Sequence, residues 1–308
     1  MPKSSFGPFV LGGNVFGWTV QRADAFRLLD AFVDGGGTTI DTADVYSVWA
    51  PGATGGDSER IIGEWLARGS RNRVSIATKV AKWSAQPGLS AANIRAAVEG
   101  SLKRLQTDHI DLYYAHEDDV KVEQAEYLSA FNELVESGKV LRLGASNFTP
   151  ERLQSALAYS RANQLASFEV SQDHYNLVER DFERTLRPVL ERENLCELPY
   201  WALASGFLTG KYRPGQTVAS SRAGSAHKYL TRPDSERLLA ALDEIAAAHR
   251  VSVTAVALTW LRAQRTVAAP IASARTIEQL DDLFQSASLV LDDSEVERLS
   301  SITASREA

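Results

Sequence analysis

The sequence predicts a single-domain (β/α)8 TIM barrel over residues 1–308. Two observations predict it. Short apolar runs alternate with amphipathic stretches along nearly the whole chain, and chemistry-bearing side chains sit where three successive runs end. Strand and helix patterns in alternation produce right-handed βαβ units, and eight such units in about 300 residues close into a barrel. An open doubly wound sheet is the competing architecture. The first run lacks the Gly-x-Gly-x-x-Gly turn with which a dinucleotide-binding sheet of that kind opens.

The elements follow in order. The first run, 10–16, leads to an amphipathic stretch at 23–34 that ends in Gly35-Gly36-Gly37. Glycines placed after a helix stop it, so they are not a phosphate loop. The β-branched run Thr38-Thr39-Ile40-Asp41 predicts a strand. A loop with Trp49, Pro51 and Gly55-Gly56 then leads to a helix at 57–68. Strands at 74–80, 110–116 and 140–145 alternate with helices at 90–105, 121–137 and 150–160, the last opened by Thr149-Pro150. A strand at 168–171, a helix at 180–192 and a strand at 198–203 come next. Helices at 234–249 and 252–263, a strand at 267–271 and a helix at 276–287 complete the pattern. Residues 209–231, rich in Gly, Ser, Arg and Lys, are too long for an ordinary connection and are expected to form a mobile loop over the active face. Residues 304–308 are expected to fray.

A net charge of −6 without a basic stripe gives no nucleic-acid footprint. No apolar stretch is long enough to span a bilayer. The first residues lack the apolar core of a signal peptide, and the single cysteine, Cys196, excludes an intramolecular disulfide. A cytoplasmic location with Cys196 as a buried thiol is the expectation; oligomeric state stays open.

The ends of the runs carry the chemistry. A lysine at the end of a strand buried on both faces, Lys79, needs a nearby carboxylate to keep its charge, and Asp41 can supply it. A phenol with a reference pKa of about 10 is a poor acid at neutral pH unless a neighbouring ammonium favours its phenolate. Tyr46 and Lys79 make such a pair, and His116 ends the next run. Barrel active sites form at these strand ends. Trp18, Trp49 and Trp83 each follow a strand, and together they would line an apolar aromatic substrate pocket.

Taken together, Asp41-Thr42-Ala43-Asp44-Val45-Tyr46, Thr78-Lys79, Asp111 to His116, Gly144 to Phe148, Gln172 with Tyr175-Asn176, Leu203 to Tyr212, and Ala272 to Thr276 with Gln279-Leu280 resemble the aldo-keto reductase superfamily. The ordered set spans nearly the whole chain. The resemblance implies a barrel that binds a nicotinamide cofactor without a Rossmann domain and interconverts a small aldehyde or ketone and its alcohol. It implies Tyr46 as general acid and base, Lys79 and Asp41 as its tuners, and His116 as the residue that orients the carbonyl. It assigns Ser146, Asn147 and Gln172 to the nicotinamide carboxamide and Tyr200 to stacking on its ring. Gly13, Asn14, Leu203, Ser205, Gly206 and Lys211 fall to the cofactor as well, the last three at the pyrophosphate. Ser273, Arg275, Gln279 and Asp282 match the adenosine end. A helix beginning near Thr276 offers free N–H groups to an anion, and Arg275 beside it suits a 2′-phosphate. NADP(H) is therefore favoured, with NAD(H) open because arginine also stacks on adenine. The chain departs from the family pattern at Trp201 and Leu283.

Plainer readings stand beside these. Lys79 and Asp41 can form a structural ion pair; Gln279 fits a capping box begun by Thr276; Lys211 can be a solvated lysine. His116 lacks the partner spacing of a metal site. A nicotinamide-sensing subunit similar to the potassium-channel β subunits is the alternative function. Lys79→Met is expected to lose rate with little loss of fold.

Overall fold

The computed structural model describes residues 6–304. Eight strands form one sheet: β1 (Val10–Gly12), β2 (Thr39–Asp41), β3 (Ser75–Val80), β4 (Leu112–Ala115), β5 (Leu143–Ser146), β6 (Phe168–Gln172), β7 (Cys196–Glu197) and β8 (Ile271–Ala272). Every neighbouring pair is parallel, in the order β7-β6-β5-β4-β3-β2-β1-β8. The two ends of this order meet. Glu197 pairs with Val267 in a parallel bridge, and the Ile271 N–H donates to the Pro199 carbonyl at 2.9 Å, so the sheet closes into a (β/α)8 barrel.

The period of two along each strand sorts side chains into two cores. Val10, Ala77, Leu112, Tyr114, Val170, Cys196 and Ile271 fill the barrel interior beneath Phe6. Leu11, Ile40, Ile76, Val80, Tyr113, Ala115 and Leu143 point outward into the layer between sheet and helices. Gly144 faces inward because a Cβ there would stand 2.3 Å from the Tyr114 ring. Above this apolar floor the same inward registers carry Asp41, Lys79, Ser146 and Gln172, all buried. The site is therefore the polar end of the interior stack.

The helices are α1 (Arg22–Asp34), α2 (Asp57–Trp65), α3 (Ala91–Leu105), α4 (Gln124–Glu136), α5 (Pro150–Ala162), α6 (Asp181–Arg184), α7 (Arg187–Glu193), α8 (Ala223–Leu230), α9 (Ser235–His249), α10 (Val253–Arg262), α11 (Ile277–Ser288) and α12 (Asp293–Thr303). Thr149 caps α5 by accepting the Arg152 N–H, with Pro150 in the first turn. Thr276 caps α11 in the same way through the Gln279 N–H.

The sequence expectations are corrected at six places. The strand expected at 198–203 lies earlier, at Cys196–Glu197, because Trp201 adopts a left-handed φ of 54° and the chain turns there. The run at 10–16 holds its strand only to Gly12, and the strand expected at 267–271 is reduced to Ile271–Ala272. The helix expected at 180–192 divides into α6 and α7 at Thr185 and Leu186, just ahead of Pro188, which sits in the first turn of α7 and has no N–H to donate back across the break. Residues 209–231 are not a featureless loop, since α8 occupies their second half. Helix α12 was not expected, although Asp292 and Glu295 form a reciprocal capping box that the Asp-x-x-Glu spacing announces. Of 304–308, only Ala304 falls within the described residues.

Candidate active site

At the C-terminal ends of β2, β3 and β4 the fold brings Asp41, Tyr46, Lys79 and His116 together. The Lys79 ammonium donates to Asp41 Oδ2 at 2.7 Å, to the Thr42 carbonyl at 2.7 Å and to the Tyr46 hydroxyl at 3.1 Å. The Gln172 amide donates to Asp41 Oδ1 at 3.0 Å, so both carboxylate oxygens are engaged. Lys79 has no exposed side-chain surface and Asp41 only 2%. Such an ion pair persists in the interior because it is fully hydrogen-bonded.

Burial lowers the Lys79 pKa, against the opposing pull of Asp41. Tyr46 departs from expectation. Burial, followed by the Asp41 carboxylate and the hydrogen bond to it, raises the phenol well above its ordinary value. Tyr46 is thus held protonated, and its approach to Lys79 does not by itself bring its titration toward neutrality. Burial, together with Lys79 and Lys82, depresses His116 far below the ordinary imidazole value, so the ring is neutral. Its Nδ1 is buried without a partner, and its ring lies 6.1 Å from that of Tyr46.

From these residues a cavity of about 590 Å³ extends across the barrel mouth. Asp41, Tyr46, Trp49, Lys82 and His116 line it, then Asn147, Gln172 and Tyr200, and then Ser273, Arg275, Gln279 and Asp282. Asn147, at a φ of 57°, accepts the Tyr200 hydroxyl at 2.8 Å and donates to the His116 carbonyl at 2.9 Å. Tyr200 also stacks on His174 with 11° between the rings, so its ring is a fixed wall of the cavity. Farther along, Ala204, Ser205 and Gly206 adopt positive φ values of 46°, 56° and 94°, which curl the chain around the cavity in place of a regular helix. Leu203, Ser205, Gly206 and Lys211 line that side, while Asn14 accepts the Ser273 hydroxyl at 2.7 Å on the other.

Some expected residues are not at the cavity. Trp83 donates its indole N–H to the Thr54 carbonyl at 3.0 Å and lies beneath Arg104, away from the lining. Trp18 stands behind Trp49 in an edge contact at 6.1 Å and does not line the cavity itself. Gly13 packs against Ser58 and the Asp41 backbone. Ser146 is buried beneath Asn147, whose amide donates to its hydroxyl. Gln279 turns back toward the helix start, but its Oε1 accepts the Arg275 N–H at 3.0 Å in place of the Thr276 N–H that a capping box would use, and the residue also lines the cavity.

Sequence reasoning missed Gly12, Lys82 and Arg222. A Cβ at Gly12 would stand 2.6 Å from the Ser273 hydroxyl, so the glycine makes room for the Asn14–Ser273 pair. Arg222 reaches the cavity from the start of α8, where burial first and Arg275 second lower its pKa. Trp201 and Leu283, where the family pattern breaks, both line the cavity.

Residues 8–304 match the model of the aldo/keto reductase family. An uncharacterized oxidoreductase, YrpG, from Bacillus subtilis is 35% identical over 92% of this chain and 87% of its own length. Norsolorinic acid reductase A from Aspergillus parasiticus is 32% identical over 95% of this chain and 76% of its own. An aryl-alcohol dehydrogenase from Pestalotiopsis microspora is 31% identical over 95% and 77%.

Proposed function

Because the chain belongs to the aldo/keto reductase family of oxidoreductases, we propose that it reversibly interconverts an aldehyde or ketone and the corresponding alcohol with NADP(H), and that Tyr46 exchanges the proton. The observation that carries this reading is the buried Lys79, bonded to both Asp41 and Tyr46 at the inner end of the cavity. A phenol held protonated by burial and by Asp41 is an acid that releases its proton only to a base stronger than itself. A carbonyl oxygen becoming an alkoxide is such a base. As the proton leaves, the Lys79 ammonium 3.1 Å away stabilises the phenolate. Neutral His116, with Nδ1 buried, presents its other ring nitrogen to the same oxygen and holds the carbonyl against Tyr46.

The residues suit a nicotinamide dinucleotide. Asn147, Gln172 and the fixed Tyr200 ring border the middle of the cavity, polar groups beside a flat aromatic wall. Ser205, Gly206 and Lys211 would hold the pyrophosphate, with Ser273, Gln279 and Asp282 at the adenosine. When bound, the nicotinamide supplies or accepts the hydride. Arg222 and Arg275 stand close enough to depress the first of them, and two like charges together favour an anion between them. A 2′-phosphate is that anion, which supports NADP(H) over NAD(H). Trp49 and Trp201, both exposed at the mouth, suit an aromatic substrate, in keeping with the aryl-alcohol dehydrogenase among the relatives. Among the described residues no helix is long and apolar enough to cross a membrane.

Tryptophan fluorescence titrated with NADPH and then NADH tests the cofactor, and NADPH-coupled reduction of a panel of aromatic and aliphatic aldehydes tests the reaction. Tighter binding of NADPH and turnover of aromatic aldehydes are expected. Equal affinities would remove the phosphate role of Arg222 and Arg275, and a panel without turnover would remove the enzymatic reading.

A further inference from the structure

We propose that Lys82 makes the substrate end of the cavity selective for carbonyl compounds bearing an anionic group, a carboxylate on an aromatic ring being the chemistry that fits both Lys82 and the indoles of Trp49 and Trp201. This rests on the reading of the cavity as a carbonyl-reduction site.

Lys82 lines the cavity at the His116 end, remote in the chain from the Arg222 and Arg275 cluster, and its charge acts on His116. The ammonium makes no hydrogen bond among the described residues. Its ion-pair partner Glu117 stands 3.9 Å away and is itself 47% exposed, too distant and too solvated to neutralise it. The other carboxylate acting on Lys82, Asp173, is committed elsewhere: Oδ1 accepts the Asn147 N–H and Oδ2 the Ser171 hydroxyl. A partly desolvated cation with a loose partner, in a cavity that two indoles also line, is an anion-recognition group held in reserve.

The backbone fixes its direction. Ala81, at a φ of 111°, occupies a region in which a side-chain-bearing residue is strained, and its carbonyl is held by the Gly88 N–H at 2.9 Å. On the other side, Trp83 is anchored through the Thr54 carbonyl and Arg104. Lys82 lies between a strained residue and a pinned one. Backbone strain of this kind persists where surrounding structure holds it, and here it turns the chain out of β3 at the residue that faces the cavity.

The test uses the whole protein saturated with NADP+, so that an aldehyde binds without being reduced, and follows tryptophan quenching by 4-carboxybenzaldehyde and 4-methylbenzaldehyde. The wild-type protein should bind the carboxylate probe more tightly. Lys82→Met should weaken that probe about tenfold and leave the methyl probe within about twofold, Lys82→Arg should keep the preference, and Glu117→Gln should strengthen it. Equal affinity for both probes in the wild-type protein, equal weakening of both in Lys82→Met, failure to bind either, or a comparable loss of NADPH affinity in Lys82→Met would each overturn the proposal. Turnover of the two aldehydes with NADPH is read separately. Selective binding through Lys82 without reduction of either aldehyde sinks the carbonyl-reduction reading and leaves anion selectivity standing.

Discussion

The two ends of the cavity handle charge in opposite ways. At the inner end, Lys79 spends its hydrogen bonds on Asp41, Thr42 and Tyr46, and Asp41 spends both oxygens on Lys79 and Gln172. At the outer end, Lys211, Arg222 and Arg275 line the wall and none forms an ion pair among the described residues. A closed network is organised before anything binds, which is what a proton transfer needs; unpaired cations are complete only with a polyanion among them. On the proposed reading, the contrast teaches that one chain would separate chemistry from affinity by burying the first and leaving the second half solvated.

Substitutions can break this division. The largest effect is expected from Tyr46→Phe, which removes the exchangeable proton while the ring keeps its packing against Trp49. Steady-state turnover should fall by about 10³-fold, with NADPH affinity by fluorescence essentially unchanged. A parallel loss of affinity would mean that the two ends are not separate.

Lys79→Met should reduce turnover by about 10²-fold, and the structure revises the accompanying expectation of an undisturbed fold. The substitution leaves Asp41 charged and buried with its main partner gone, which costs about 3 kcal/mol or more. Urea unfolding should show this loss, and Asp41→Asn combined with Lys79→Met should recover part of it.

Behind the inner end lies Asp44, fully buried, with neither carboxylate oxygen hydrogen-bonded. Burial, followed by the nearby Glu59, raises its pKa to about 7. The native state therefore keeps a proton that the unfolded chain has released above its ordinary value of 3.8. Stability from this group is full below that value and is lost as pH rises toward 7, by an amount on the order of a few kcal/mol. Asp173, raised to about 6 by burial, adds in the same direction. From pH 5 to pH 8 the depressed His116 pulls the other way, so the comparison is between variants: the change in urea midpoint over this range should be less negative in Asp44→Asn than in the wild-type protein. An unchanged slope would show that Asp44 is not the titrating group.

The smallest effect is expected at the outer end. Arg275→Ala should weaken NADPH about tenfold, leave NADH unaffected and lessen the dependence of NADPH binding on salt, with the turnover of the saturated enzyme preserved. Equal losses for both cofactors would place Arg275 on the adenine and not on a phosphate.

Legibility followed the same line between inner and outer end. Asp41, Lys79 and His116 were readable because each ends an apolar run, and a period of two then requires where it points. Lys82 and Arg222 were not readable. Lys82 faces the cavity only because Ala81 takes a left-handed turn that no propensity predicts, and Arg222 lies in a polar segment whose path depends on what it packs against. Trp83 resembled Trp49 in position, yet a hydrogen bond to Thr54 turned it away. The strand expected at 198–203 failed for a similar reason, since the left-handed Trp201 ends the extended chain.

The sequence by itself determined the alternation of strands and helices, the barrel, the membership of the family and which four residues, Asp41, Tyr46, Lys79 and His116, would meet at the strand ends, because periodic burial and strand-end position are local properties of the chain. Only the tertiary structure decided how Tyr46 is charged, which tryptophans reach the cavity, and that Lys82 and Arg222 join it. Those depend on desolvation and on neighbours distant in sequence, and the energy of a charge is set by the whole environment that surrounds it.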